Sequence, residues 1–325
     1  MNRRAFLTGS IALSATPVVA EAQRAEKVAF LCPDSCSNLP NTIDEHDRAF
    51  LAALESAGYV LGRNTSIDMS GAGVGYDRLT GASRRLVERN TDVIVAFGNA
   101  ATRAARQATK KTPIVMVNVA DAVDDGFVES LSRPGTNVTG LSVPLGQVAA
   151  KSIELLKELN PKIGRVAVVW DATFNVEQRV ARLERAVGSL GVEIAPVRVA
   201  TVHDLEKTFA VMGQRRPEAL LILEQLARPI RGEIALFALR QRLATAGSDR
   251  SFVRGGGLLA YSPDIVKQLE RAGVYAGRLL RGKKPSELPV EEPSRFELVL
   301  NKATATTLGL TIPPSLLLRA DQVIE

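Results

Sequence analysis

Histidine, cysteine and tryptophan are scarce in this 325-residue sequence, which has two His, two Cys, one Trp and 5% aromatics. His46 and His203 alone supply too few ligands for a metal centre and few candidates for acid–base or Ser-His catalysis. No G-x-S-x-G, H-E-x-x-H, G-x-x-x-x-G-K-[ST] or G-x-G-x-x-G pattern occurs. The stretch Gly71-Ala72-Gly73-Val74-Gly75 has the wrong spacing for a dinucleotide loop and reads as a βα turn. The expectation is a chain with no catalytic residues, no metal and no cofactor. Basic runs interleaved with aromatics are also missing. The net charge of +6 is spread along the chain, so nucleic acid is not an expected partner. Past the N-terminus no segment approaches ~18 uninterrupted apolar residues, which leaves no membrane span.

What is present points to a two-domain α/β protein. The length exceeds a single ordinary domain, and 46% hydrophobic residues fill sizeable cores. Arg3-Arg4-Ala5-Phe6-Leu7 precedes an apolar stretch, Ile11 to Ala20, and the small-residue site Ala20-Glu21-Ala22. That order reads as a cleavable, twin-arginine-like signal over residues 1–22, implying a soluble periplasmic protein with no membrane insertion after cleavage. In that compartment Cys32 and Cys36 stand either as a disulfide or as two free thiols.

Short apolar runs alternate with helical-period segments, as in parallel-sheet domains. Strands are expected at 27–31, 66–69, 93–97, 114–117 and 138–141, with helices at 44–57, 76–89, 100–109 and 126–131. The rhythm restarts with helices at 147–159, 176–190, 202–214 and 230–242 and strands at 166–170, 193–198 and 219–223. Gly255-Gly256-Gly257 suggests a further passage between domains. A helix at 265–280 then returns to the first lobe, and a strand at 296–300 rejoins the second. The resulting division is 26–141 plus 261–288 for one lobe and 142–260 plus 289–325 for the other.

In open α/β sheets ligands bind beyond the carboxyl ends of the strands. That rule selects the loops following each strand. The first offers Ser37 and Asn38. Gly98-Asn99-Ala100-Ala101 opens a helix whose N–H groups suit an anion, although Asn99 is equally a helix cap. Asp121 and Asp171, one per lobe, suit a ligand cation or an Asx turn. Thr173, Phe174, Glu224 and Tyr261 complete the candidates, with the aromatics equally suited to packing. Trp170 reads as core.

Ala120-Asp121-Ala122-Val123-Asp124-Asp125-Gly126-Phe127-Val128, leading into Ser130 to Gly140, resembles ABC-transporter substrate-binding proteins of the tryptophan-binding-like group. So do Phe296 to Asn301, Leu308 to Leu317 and Arg319-Ala320-Asp321. The resemblance implies two Rossmann-like lobes with parallel sheets, a multi-strand hinge and a ligand cleft between them. It also implies a non-enzymatic solute-binding protein, monomeric, working with an ABC permease and ATPase on a small organic solute. A periplasmic sensor subunit is the alternative. Departures at Cys32, Cys36, Asp171-Ala172 and Ser262 fall on expected pocket loops, so the resemblance does not carry over a ligand.

Overall fold

The computed structural model describes residues 24–33, 43–171, 176–199, 202–211, 216–222, 228–247 and 249–325. The first sheet takes β1 (Glu26–Leu31), β2 (Thr65–Gly71), β3 (Val93–Phe97), β4 (Ile114–Ala120) and β5 (Val138–Val143) in the order β2-β1-β3-β4-β5, all parallel. Successive strand residues face opposite sides, so each strand feeds two cores. Ala29, Leu31, Ile94, Ala96, Ile114 and Met116 pack under α2 (Leu79–Glu88) and α3 (Gly98–Ala108). Val28, Phe30, Val93, Val95, Val115 and Val117 meet α1 (Glu45–Ser56) on the other face. Asp44 starts α1 by accepting from the Asp47 N–H at 2.9 Å, while the Asp47 carboxylate accepts from the Asp44 N–H at 3.3 Å.

The second sheet holds β6 (Arg165–Asp171), β7 (Glu193–Val199), β8 (Ala219–Ile222), β9 (Ala244–Gly247), β10 (Leu259–Pro263), β11 (Phe296–Asn301) and β12 (Gln322–Ile324). Its order is β12-β11-β10-β9-β8-β6-β7, and only the β10–β11 pair is antiparallel. One face packs α4 (Leu145–Leu159) and α5 (Val176–Val187) against Val166, Val168 and Trp170. Ala167, Val169 and Leu220 on the other face meet α6 (Val202–Val211), α7 (Arg228–Arg240) and the short α8 (Arg250–Arg254). The strand run β7-β6-β8-β9-β10 repeats the winding of β2-β1-β3-β4-β5, although the two halves share no evident sequence repeat.

Two expectations change. Residues 126–131 form turns instead of a helix. Gly126 has φ 69, and Ser130 and Glu129 are tied back to Arg133 and Pro134. The triple glycine does not mark a passage between sheets. Its Gly257 N–H donates to the Phe252 carbonyl at 3.0 Å, and a Cβ there would lie 2.2 Å from the Phe252 ring, so these glycines let the chain turn tightly beneath that side chain. β10 then joins the second sheet, and the chain leaves it only at Pro263-Asp264 to form α9 (Ile265–Leu280) against α1 and the first sheet. β9, α10 (Lys302–Thr307), α11 (Pro314–Arg319) and β12 are each six residues or fewer, too short to show a sequence period.

The chain passes between the sheets at three adjacent places. β5 leads through Pro144 into α4, Pro263 leads through Asp264 into α9, and residues 291–295 lead into β11. These passages are cross-tied. The Ser142 N–H donates to the Glu291 carbonyl at 2.9 Å, the Glu291 N–H to the Gly140 carbonyl at 2.9 Å, and the Asp264 N–H to the Arg295 carbonyl at 3.2 Å. Arg271 on α9 grips the Glu291 carboxylate through Nε at 2.9 Å and a terminal nitrogen at 2.5 Å. Partial burial would raise the Glu291 carboxyl, but the hydrogen bonds and charge of Arg271, aided by Tyr275 and Arg278, outweigh it and hold the group below its ordinary 4.5. A lowered folded value means stability that is complete above pH 4.5 and drains away as pH falls through the folded value. In acid titrations of unfolding, Glu291→Gln should therefore lose less stability below about pH 4.5 than the wild type. Identical acid limbs would show that the Arg271 pair contributes nothing.

Candidate functional site

The order β2-β1-β3-β4 reverses direction between β1 and β3, and β7-β6-β8-β9 does so between β6 and β8. A crevice opens where strand order reverses, outside the carboxyl ends. The residues there are Cys32-Pro33 and Gly98-Asn99 in the first sheet and Asp171 at the end of β6.

α3 begins directly from β3. Gly98 has φ 80, a conformation that side chains rarely adopt, and a Cβ built on it would meet nothing within 4 Å. The Gly98 position thus faces open space, and among the described residues no side chain caps the helix. Asn99 is not the cap. Its side chain forms a reciprocal pair with the Ala120 backbone, Nδ2 donating to the carbonyl at 2.8 Å and Oδ1 accepting from the N–H at 2.9 Å. Nδ2 also donates to Asp125 Oδ2 at 2.9 Å, an oxygen shared with Arg103 at 3.3 Å. Arg103 in turn lies 5.4 Å from the Phe127 ring centroid. Asn99 therefore clamps the end of β3 to the end of β4. Ala100 beside it is partly exposed, while Ala101 is fully buried.

Asp121 follows β4 with φ 47, which Asp tolerates better than most residues. Its Oδ1 accepts from the Leu145 N–H at 3.0 Å, the first amide of α4, and its own N–H donates to the Val143 carbonyl at 3.0 Å. Asp121 thus ties the end of β4 to the first passage between the sheets. Three residues on, Asp124 makes an ion pair with Arg182 of α5, so the 121–136 loop reaches across to the second unit.

Asp171 closes β6 in register with Val199. Tyr261 is stacked on Phe296, with ring centroids 5.3 Å apart and planes at 12°. Burial raises its hydroxyl above the ordinary value, and its charged neighbours are Lys151 and Glu154 of α4. Tyr261 packs against the core of the second sheet, where Ala120, the residue that Asn99 clamps, also packs. Trp170 is fully buried in the same core, as expected. Ser37, Asn38, Thr173, Phe174 and Glu224 lie outside the described residues. Cys32 is disulfide-bonded. The sequence's other cysteine, Cys36, also lies outside the described residues.

Sequence reasoning missed Asp125, Arg182 and the Arg250–Glu297 pair, whose partners lie 26, 58 and 47 residues apart and leave no local pattern. It also missed Asn118 and Gln268, which meet at the end of β4 across 150 residues. Among the described residues no group of three or more His, Cys, Asp or Glu is placed to hold a metal ion. No helix among them is long and apolar enough to cross a membrane.

Comparison with known proteins places this geometry. The solved L-Trp complex of an ABC domain from Streptococcus pneumoniae superposes with a TM-score of 0.79 at 24% identity, over 92% of this chain and 100% of that one. A conserved domain protein of Vibrio cholerae superposes at 0.78 and 24% identity, over 93% and 99%. Both show the two-lobe periplasmic-binding-protein fold for this chain. A tyrosine-binding protein of Clostridioides difficile is 26% identical over 270 residues, 83% of this chain and 78% of the relative. The family model described as ABC transporter substrate binding protein matches residues 40–324. The chain belongs to the ABC transporter substrate-binding protein family.

Proposed function

We propose that this protein is the extracytoplasmic solute-binding component of an ABC importer, that it captures an α-amino acid by closing its two lobes about the hinge, and that aromatic amino acids fit best. The observation carrying the reading is the start of α3, uncapped by any side chain among the described residues and opened by Gly98 at the point where the strand order reverses. A helix start of that kind suits a carboxylate. Asp121, one strand away, is the natural partner for an ammonium. Relatives that bind tyrosine and tryptophan support the amino-acid class. In the proposal the backbone of Gly98 to Ala101 takes the carboxylate, while Ser37 and Asn38 border it from the first loop. Asp171, Thr173, Phe174 and Glu224 close from the second lobe. Tyr261, with one face of its ring stacked on Phe296, offers the other face and its hydroxyl to the solute.

Closure has a structural handle, since lobe separation must break or stretch the Asp124–Arg182 pair. The lobes are proposed as 26–141 with the returning α9 segment, and 142–263 with the C-terminal strands. A thermal-shift screen of the twenty amino acids and small organic anions tests the ligand class. Stabilisation by none of the amino acids would refute it.

Export belongs to the same reading. Residues 1–22 carry the order of a signal, and the disulfide at Cys32 suits an oxidising compartment. Expressed in a bacterium with a twin-arginine pathway, the protein should reach the periplasm with its N-terminus at Gln23. The Arg3→Lys, Arg4→Lys double variant should remain as precursor in the cytoplasm. Delivery of an uncleaved chain would remove the leader.

A further inference from the structure

Gln268 is 3% exposed, yet only half of its amide is used. Oε1 accepts from the Asn118 N–H at 2.8 Å, joining the first turn of α9 to β4. Because that partner is a backbone donor, the orientation of the amide is fixed and Nε2 must point elsewhere. Among the described residues Nε2 has no acceptor. Leaving a buried donor unmet costs about 1–3 kcal/mol, and such a group in a native fold calls for an explanation.

Its surroundings supply one. Asn118 has φ 53, and the register of β4 shifts between Met116 and Val119, a bulge at the carboxyl end of a central strand. Bulges of this kind re-aim groups beside binding sites, and positive φ at a non-glycine residue concentrates there too. Two residues further on, Ala120 is held by Asn99 at the start of α3. Gln268 itself stands one turn past Asp264, where the chain re-enters the first lobe. The donor thus lies beneath the same strand end that adjoins the proposed ligand position, beside the hinge.

We propose that Gln268 is a ligand-binding residue on the floor of the cleft, its Nε2 donating to a carboxylate or carbonyl oxygen of the bound solute. This rests on the amino-acid reading above. Asn118 holds the amide in place, so the donor is already oriented when the ligand arrives and little side-chain freedom is lost on binding.

Calorimetry with the amino acid that binds the wild type most tightly decides the matter, using Gln268→Glu and Gln268→Met. Glutamate keeps an acceptor for the Asn118 N–H but replaces the donor with a repelling oxygen. Methionine keeps the length of the side chain and loses both groups. Both variants should bind at least tenfold more weakly, glutamate the more so, a loss matching one hydrogen bond to a charged group. Gln268→Glu should melt below the wild type, because a carboxylate at this buried position loses its hydration, so Gln268→Met is the variant whose affinity isolates the lost donor. If both variants fold and bind as the wild type does, the proposal is overturned and a buried water is the partner of Nε2. If the wild type binds no amino acid, the amino-acid reading fails and this proposal fails with it.

Discussion

Gly140→Ala is expected to destabilise the protein by about 3 kcal/mol or more, a large effect for one added methyl group. Gly140 lies in β5 at φ 125, where L side chains rarely go, and a Cβ would sit 2.2 Å from the Met116 carbonyl oxygen and 2.8 Å from its nitrogen. Those atoms are backbone, so no side chain can swing away. β4 cannot yield easily either, being held by β3 on one edge and β5 on the other. The strain would also reach the hinge, because the Gly140 carbonyl accepts from the Glu291 N–H. Urea unfolding of Gly140→Ala beside Gly164→Ala checks the point. Gly164 has no positive φ, and a Cβ added to it would meet nothing within 4 Å, so its substitution should change stability little. Equal stability of the two variants would contradict the account.

The second large effect falls on binding. Asp121→Asn should weaken amino-acid affinity by roughly 10- to 150-fold, the equivalent of one charge-assisted bond at about 1.5–3 kcal/mol. Asparagine is the informative replacement. It tolerates φ 47 as aspartate does, and its carbonyl can still accept from the Leu145 N–H, so the tie to α4 survives. What disappears is the charge proposed to face the ammonium. Asp121→Ala removes both and adds backbone strain, so its loss mixes two causes. Wild-type affinity in Asp121→Asn, with weakened binding in Asp121→Ala, would assign Asp121 to the hinge alone.

Much of the fold can be read from the sequence because its period is local. The strand Val93–Phe97 and the helix Ile265–Leu280 have the bounds their sequence predicts, each a plain apolar pattern with clear ends. The helix expected at 44–57 is α1 between its caps Asp44 and Ala57. β9, with the sequence Ala-Thr-Ala-Gly, becomes a strand only because β8 and β10 bury it on both sides. No propensity scale finds such a strand. The triple glycine misleads for a related reason. Three glycines announce a tight turn, but only Phe252 above them shows that the turn serves packing and not a hinge.

For the site, the rule about strand ends names positions but cannot assign the bonds made there. The sequence leaves Asn99 either to cap α3 or to lie against a ligand. Its side chain is not the cap but clamps Ala120, a residue 21 positions away. Asp121 likewise reaches Leu145 of α4, 24 positions on. Such contacts depend on how strands stack, which a one-dimensional pattern does not encode. Gln268 is invisible for the same reason, an amide inside an amphipathic helix whose partner is a main-chain N–H 150 residues earlier.

The central claim is capture of an α-amino acid between two closing lobes. Titration of the mature protein with each of the twenty amino acids by isothermal calorimetry, at several temperatures, tests it most directly. The account predicts saturable one-to-one binding of at least one aromatic amino acid, with a negative heat-capacity change as apolar surface is buried on closure. The absence of saturable heat with all twenty would contradict it.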